Sequence, residues 1–264
     1  MLQRIVFVTD LHDLRAFLPA FAEVEAGADL CLVGGDITNF AGAAEARAVL
    51  APLREAFPRL RAVPGNVDRP GVAGLLEEEG LSLHGRGEAM GGLWLSGVGG
   101  SNHTPLRAPT EYGEEALSAL LRAGQPPAGQ GSGVTAPAPP WILITHVPPR
   151  DTVADRMFAG PHVGSRALRG FLEEAAPLWH RPGLNLCGHI HEGIGQERVG
   201  ETLVCNPGAF ASGRYARVLV RDGAFRVELC RLSLPRVLRL RARAQMITSK
   251  VIGYGRHRLS SLLS

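Results

Sequence analysis

Apolar residues in this chain come in short runs, and each run is halted by a polar cluster. Arg4–Thr9, Leu30–Val33, Arg61–Val63, Leu93–Val98, Trp141–Thr145 and Leu184–Cys187 are runs of strand length rich in Val, Ile and Leu. Between them, Leu14–Ala26, Ala43–Phe57, Val72–Glu79, Glu114–Arg122 and Ser165–Ala175 repeat apolar residues at helical spacing. After Cys187 the pattern changes to closely spaced strands at Gly195–Val199, Thr202–Cys205, Tyr215–Arg221 and Ala224–Leu229, some joined by turns such as Arg221-Asp222-Gly223. A chain that begins βαβα and ends as a β-meander predicts an α/β fold. Two sheets packed face to face, with helices on both outer sides, accommodate it.

With 264 residues, 45% of them hydrophobic, the chain can bury a large core built mostly of Leu, Val and Ala. Residues 1–229 read as one domain. The uncharged Gly/Pro/Ala-rich stretch 124–140 reads as a mobile loop within it, and 230–264 as a basic C-terminal extension. From Leu229 onward there are eight Arg or Lys and no acid, which leaves 20 basic against 25 acidic residues in the body. Such a tail fits a grip on nucleic acid or anionic lipid, a contact between subunits of a homo-oligomer, or a frayed end; its interspersed Val, Leu and Ile favour the subunit contact. No run approaches the ~18 apolar residues that span a membrane. The short apolar N-terminal run lacks a cleavage-site pattern. Cys31, Cys187, Cys205 and Cys230 form no CxxC pair and read as buried, reduced thiols, so a cytoplasmic location is expected.

Five polar clusters stand where strands stop: Thr9-Asp10-Leu11-His12, Gly34-Gly35-Asp36, Gly65-Asn66-Val67-Asp68, Thr145-His146 and Gly188-His189-Ile190-His191. Ligands of layered α/β proteins bind beyond the carboxyl ends of strands, so all five are expected to converge on one edge of a sheet. Asp, His and Asn are nitrogen and oxygen ligands suited to Mn, Fe, Zn or Co. In Asp-x-His and His-x-His, two ligands on an extended segment point to one side. Taken singly, each cluster is an ordinary turn or loop; in this order, each after an apolar strand, they point to a metal site.

The ordered series DLH, GGD, GNVD, TH and GHIH resembles the signature of the calcineurin-like metallophosphoesterases, over residues 5 to about 220. The stretches VGGSNHTPLRAPTEY, THVPPRDT, GPHVGSRALRGFLEE and VCNPGAF are similar to those of small bacterial and archaeal phosphoesterases related to the Icc protein. The resemblance implies a four-layer α/β/β/α sandwich of two mixed sheets and a pair of divalent metal ions, with Mn2+ favoured and Fe or Zn as alternatives. It implies that Asp10, His12 and His191 hold one metal, Asn66, His146 and His189 the other, and that Asp36 bridges them. The implied activity is hydrolysis of a phosphate ester, a phosphodiester first of all, by in-line attack of a hydroxide held between the metals. Nucleotide-like substrates fit that class. The rivals are a nuclease gripping nucleic acid with the tail and a non-catalytic scaffold on the same fold.

One position departs from the family pattern. Val67 stands where many members carry a histidine that serves the leaving group or the phosphate. Asn66 is expected to contact the phosphate, and Asp68 to orient a ligand, such as a histidine, from behind. A proton donor must then come from elsewhere, with His103 and His162 as candidates. Activated aryl phosphodiesters, which need a donor least, should be better substrates than alkyl monoesters. Arg150, Arg156, Arg166 and Arg214 lie near the motifs and are candidates to clasp a phosphate.

Overall fold

In a computed structural model, which describes residues 2–105, 107–127, 139–158, 160–174 and 181–233, strands and helices alternate at first. They run β1 (Arg4–Val8), α1 (Leu18–Val24), β2 (Leu30–Val33), α2 (Ala43–Ala56), β3 (Leu60–Ala62) and α3 (Pro70–Glu78). Next come β4 (Arg86–Met90), β5 (Leu93–Val98), the short β6 (Ser101–Asn102) and β7 (Glu111–Tyr112), α4 (Glu114–Ala123), β8 (Trp141–Thr145), α5 (Arg166–Glu173) and β9 (Leu184–Leu186). The meander closes the chain as β10 (Gly195–Val199), β11 (Thr202–Asn206), β12 (Arg214–Arg221) and β13 (Ala224–Arg231).

The strands form two mixed sheets. The first has the order β13-β12-β1-β2-β3 and the second β10-β11-β9-β8-β5-β4, with β6 and β7 paired separately. In the first sheet β1, β2 and β3 are parallel; in the second β5, β8, β9 and β11 are. The strands carrying the clusters are buried on both faces, which is why they read as unbroken apolar runs.

Three cores separate four layers. Ile5, Phe7, Leu30 and Leu32 meet Leu95, Ile142, Ile144 and Leu184 between the sheets. On the other face of the first sheet, Val6, Val8, Cys31 and Val33 pack with Phe21, Val49, Leu50 and Leu76 from the helices α1 to α3. Beyond the second sheet, Trp141, Leu143 and Val204 pack with Leu117, Leu121, Leu168 and Leu172 from α4 and α5. The alternation along β1, with Ile5 and Phe7 to one side and Val6 and Val8 to the other, binds two of these cores through a single strand.

Differences from the sequence reading have local causes. Helix α1 starts at Leu18 rather than Leu14, because Pro19 presets its first turn; Leu14 and Phe17 are buried all the same, from turns. Strand β4 was not expected. It is an edge strand, Arg-Gly-Glu-Ala-Met, with largely half-exposed side chains, and charge on an edge erases the apolar alternation. Strand β13 runs to Arg231, two residues past its expected end. Cys31, Cys187 and Cys205 are buried free thiols, and Cys230 is partly buried. The loop reading at 124–140 falls, for 128–138, outside the described residues, as do the readings of the tail from 234 onward. Among the described residues, no helix is long and apolar enough to cross a membrane.

Candidate metal centre

The five clusters leave the carboxyl ends of β1, β2, β3, β8 and β9. They do not gather on the edge of one sheet, as the sequence suggested. Three come from the first sheet and two from the second, and they meet across the seam between the sheets. The His189 N–H donates across this seam to both carboxylate oxygens of Asp10, at 3.2 Å each.

The local backbone is tightly constrained. Asp10, His12, Asp36 and His189 all have positive φ, between 47° and 66°, a conformation that costs a non-glycine residue about 1 kcal/mol or more. Four such residues in one cluster mark a site where geometry is held at the expense of local comfort. At Gly65 a Cβ would lie 2.0 Å from the Asp36 backbone nitrogen, so the β3 loop touches the β2 loop directly.

The side chains form a continuous chain of contacts. Asp10 Oδ1 lies 3.3 Å from His191 Nε2, which lies 3.1 Å from His12 Nε2. Asp36 reaches both ways, with Oδ2 3.7 Å from His12 Nε2 and Oδ1 3.3 Å from His146 Nε2. Asn66 Oδ1 is 3.0 Å from His146 Nε2 and 3.1 Å from His189 Nδ1. Two sets, Asp10/His12/His191 and Asp10/Asp36/His146, have ligand atoms all within 4.8 Å of one another and could each hold a metal ion. The donor set fits divalent cations. His146 donates Nδ1–H to the Gly34 carbonyl at 2.8 Å, so Nε2 is the ring nitrogen that faces the Asp36 and Asn66 oxygens, and a proton or a cation is needed between them.

Electrostatics point the same way. Burial opposes ionisation of Asp10, but the imidazoles of His191, His146 and His12 outweigh it and hold the carboxyl well below the usual range. Asp36 is likewise buried, yet His146 and His12 bring it down to about 2. Burial disfavours the charged form of His146, whereas Asp36 and Asp10 raise it to about 9. His189, buried and next to His146, is lowered to about 4. The site is thus a buried anionic centre in search of positive charge.

Among the described residues, no hydrogen bond or ion pair joins the Asp68 carboxylate to a histidine. Its carboxylate accepts from the backbone N–H groups of Gly65 (2.7 Å), Ile37 (3.1 Å) and Thr38 (2.7 Å), and from the Thr38 hydroxyl (2.7 Å). It therefore braces the loops that carry Asp36 and Asn66, rather than orienting an imidazole. Burial and the nearby Asp36 charge raise it to about 6. Asn206, unnoticed in the sequence, does the same for the second sheet: its Nδ2 donates to the carbonyls of Ile190 (2.9 Å), Ala154 (3.2 Å) and Gly188 (3.3 Å). The VCNPGAF stretch held it in view, but a buried asparagine has no periodic signature.

A cavity of about 790 Å³ opens above the cluster. His12, Asp36, Asn66, His189 and His191 form its floor, and Phe40, Val67, Met157 and Pro161 give it apolar walls. His103, His162 and Arg150 also line it, while Arg156, Arg166 and Arg214 do not. His146 and Asp10 sit beneath, fully buried.

Comparisons with known proteins agree with this geometry. Residues 3–193 match the family model of the calcineurin-like phosphoesterases. An uncharacterised protein of Methanocaldococcus jannaschii is 32% identical over 206 residues, which cover 77% of this chain and 87% of that protein. In fold, the chain is similar to the protein TT1561 of Thermus thermophilus, with a TM-score of 0.63, 20% identity, and coverage of 88% of this chain and 99% of that one. It is also similar to a purple acid phosphatase from yellow lupin, with a TM-score of 0.54, 11% identity, and coverage of 87% and 51%. The matched stretch takes in the ends of all five cluster-bearing strands and every residue gathered at the seam, and the chain belongs to the calcineurin-like phosphoesterase family.

Proposed function

We propose that the protein is a phosphodiesterase working with two divalent metal ions. Asp10, His12 and His191 would hold one, Asn66, His146 and His189 the other, and Asp36 would be shared. The observation that carries this reading is the placement of Asp36, one carboxylate oxygen turned to His12 and the other to His146. Asp10, which approaches both sets, supports a closely spaced pair. The all nitrogen and oxygen ligand set favours Mn2+, with Fe or Zn as alternatives.

When bound, the cations neutralise phosphate charge and acidify water for attack on phosphorus. The remaining work falls to the chain. Asn66 turns its Oδ1 to the two histidines, which leaves the Nδ2 end of the amide to donate to a phosphate oxygen. Arg150, on the cavity wall, draws in the anion. Val67 offers no proton at the leaving side, and esters of acidic alcohols need a donor least, so aryl diesters should react ahead of alkyl monoesters. A small phosphate ester, with a nucleotide-like one in the fitting class, matches the size of the cavity. The buried free thiols support a reducing, cytoplasmic setting.

The test is turnover of bis(4-nitrophenyl) phosphate by metal-stripped protein resupplied with Mn2+, Fe2+ or Zn2+, with Asp36→Asn as control. Metal-dependent turnover that Asp36→Asn reduces by at least about 100-fold is expected. Absence of turnover with all three metals would sink the proposal. Contact between copies through the tail is a separate proposal. Truncation after Ser233, which keeps Leu232 in the core, should lower the number of copies per particle seen by light scattering, and an unchanged number would remove the idea.

A further inference from the structure

Two imidazoles outside the metal cluster line the cavity, and they are held very differently. The His103 side chain is 72% exposed, with the Glu111 carboxylate 3.6 Å from its ring. His162 is only 35% exposed, and its Nδ1 lies 2.6 Å from Oδ1 of Asp155, a residue with no solvent exposure. The same carboxylate takes the backbone N–H groups of Asp151 (3.2 Å), Thr152 (3.0 Å) and Gly164 (2.9 Å). A capping box with Thr152 closes the turn at Val153–Asp155, and Arg156 and His162 are bridged antiparallel. Asn206 then ties Ala154 to the loop bearing His189 and His191, so this loop is fixed relative to the metal cluster. With Nδ1–H given to Asp155, Nε2 is the ring nitrogen left for the cavity.

We propose that His162, oriented by Asp155, donates the proton to the leaving oxygen of the phosphate ester. The assignment rests on the phosphoesterase reading. As a water oxygen bonds to phosphorus, the bond from phosphorus to the leaving oxygen breaks and its electron pair stays on that oxygen. The oxygen takes the proton from His162 Nε2 and departs as an alcohol or phenol. The proton given up by the attacking water restores the imidazolium, so ester and water yield acid and alcohol. The Asp155 carboxylate accepts the Nδ1–H and so fixes the ring's tautomer and orientation. His162 touches the leaving group and is the catalytic residue of the pair; Asp155 is a positioning residue.

The experiment uses a series of methyl aryl phosphodiesters, from 4-nitrophenyl to unsubstituted phenyl, with the Mn2+-supplied full chain. His162→Gln should cost less than about threefold on the 4-nitrophenyl ester and about 100-fold on the phenyl ester, because a proton donor matters most to a poor leaving group. Asp155→Asn should tilt the series the same way but less steeply, and His103→Gln should not tilt it. In metal-free protein, 15N NMR of the ring should show His162 protonated on Nδ1 when neutral, a preference lost in Asp155→Asn. An active wild type with an equal loss across the series in His162→Gln would overturn this assignment alone. An unchanged tautomer in Asp155→Asn would overturn the orienting role. A wild type inactive on every ester would overturn the phosphoesterase reading and this assignment with it.

Discussion

His12 and His191, 179 positions apart in the chain, face each other with their Nε2 atoms 3.1 Å apart. Two ring nitrogens at that distance must share a proton or a metal ion. A metal ion held between them would add to stability. Chelator-treated protein should gain about 2.7 kcal/mol when Mn2+ is supplied at 100 times its dissociation constant. Scanning calorimetry should show the matching rise in Tm, and a much smaller one in His12→Ala. Equal Tm values with and without metal would contradict the coupling.

Close contact between the β2 and β3 loops gives a second expectation. At Gly65 the added methyl of Ala would meet the Asp36 backbone at 2.0 Å, whereas at the exposed Gly170 in α5 it meets nothing within 4 Å. Gly65→Ala should destabilise the fold by about 3 kcal/mol and displace Asp36. Gly170→Ala should stabilise it by about 0.5 kcal/mol or more, by trimming the freedom of the unfolded chain. Paired urea titrations would separate the two. A neutral Gly65→Ala would mean that the loops are looser than they look.

Far from the site, Glu25 is fully buried and accepts from Arg4, Arg217 and the Tyr215 hydroxyl. Burial opposes its charge, yet Arg217, Tyr215 and Arg4 bring its pKa below the ordinary 4.5. A carboxylate depressed in this way contributes its full stability above the unfolded value and loses it as pH falls through the folded one. Glu25→Gln should cost about 2 kcal/mol or more at pH 7. The gap to wild type should narrow steadily below about pH 4.5. A gap independent of pH would assign the loss to shape and not to charge.

Arg150 alone among the four candidate arginines lines the cavity. If it steers the anion, Arg150→Ala should raise KM about tenfold for an aryl phosphodiester and leave kcat within about twofold. Arg166→Ala, outside the cavity, should change neither. A selective fall in kcat would place Arg150 in the chemistry instead.

The clusters were legible because β1, β2, β8 and β9 are buried on both faces, so their polar stops stand out against apolar runs. The two-sheet architecture was legible too, from the switch to a meander after Cys187. That the clusters divide between sheets was not. The sequence shows where a strand ends, but not which sheet it joins, and a seam built by Asp10 and His189 is a relation between residues 179 positions apart. Strand β4 was hidden by the charge that suits an edge. Asp155 had a readable local signal, the Thr152-x-x-Asp155 spacing of a capping box, but its partner His162 is set by loop geometry. Asp68 was expected behind a histidine and is found behind backbone amides, since nothing in GNVD says which neighbouring loop fills the space above it.

Because the cluster straddles the seam, neither half of the molecule owns it. A ribosome must release residues up to His191 before the full ligand set exists, and the intervening chain must already have brought the second layer of strands against the first. A cation held there would be captured only late in biogenesis, and would act as a clasp that secures the meeting of the two halves.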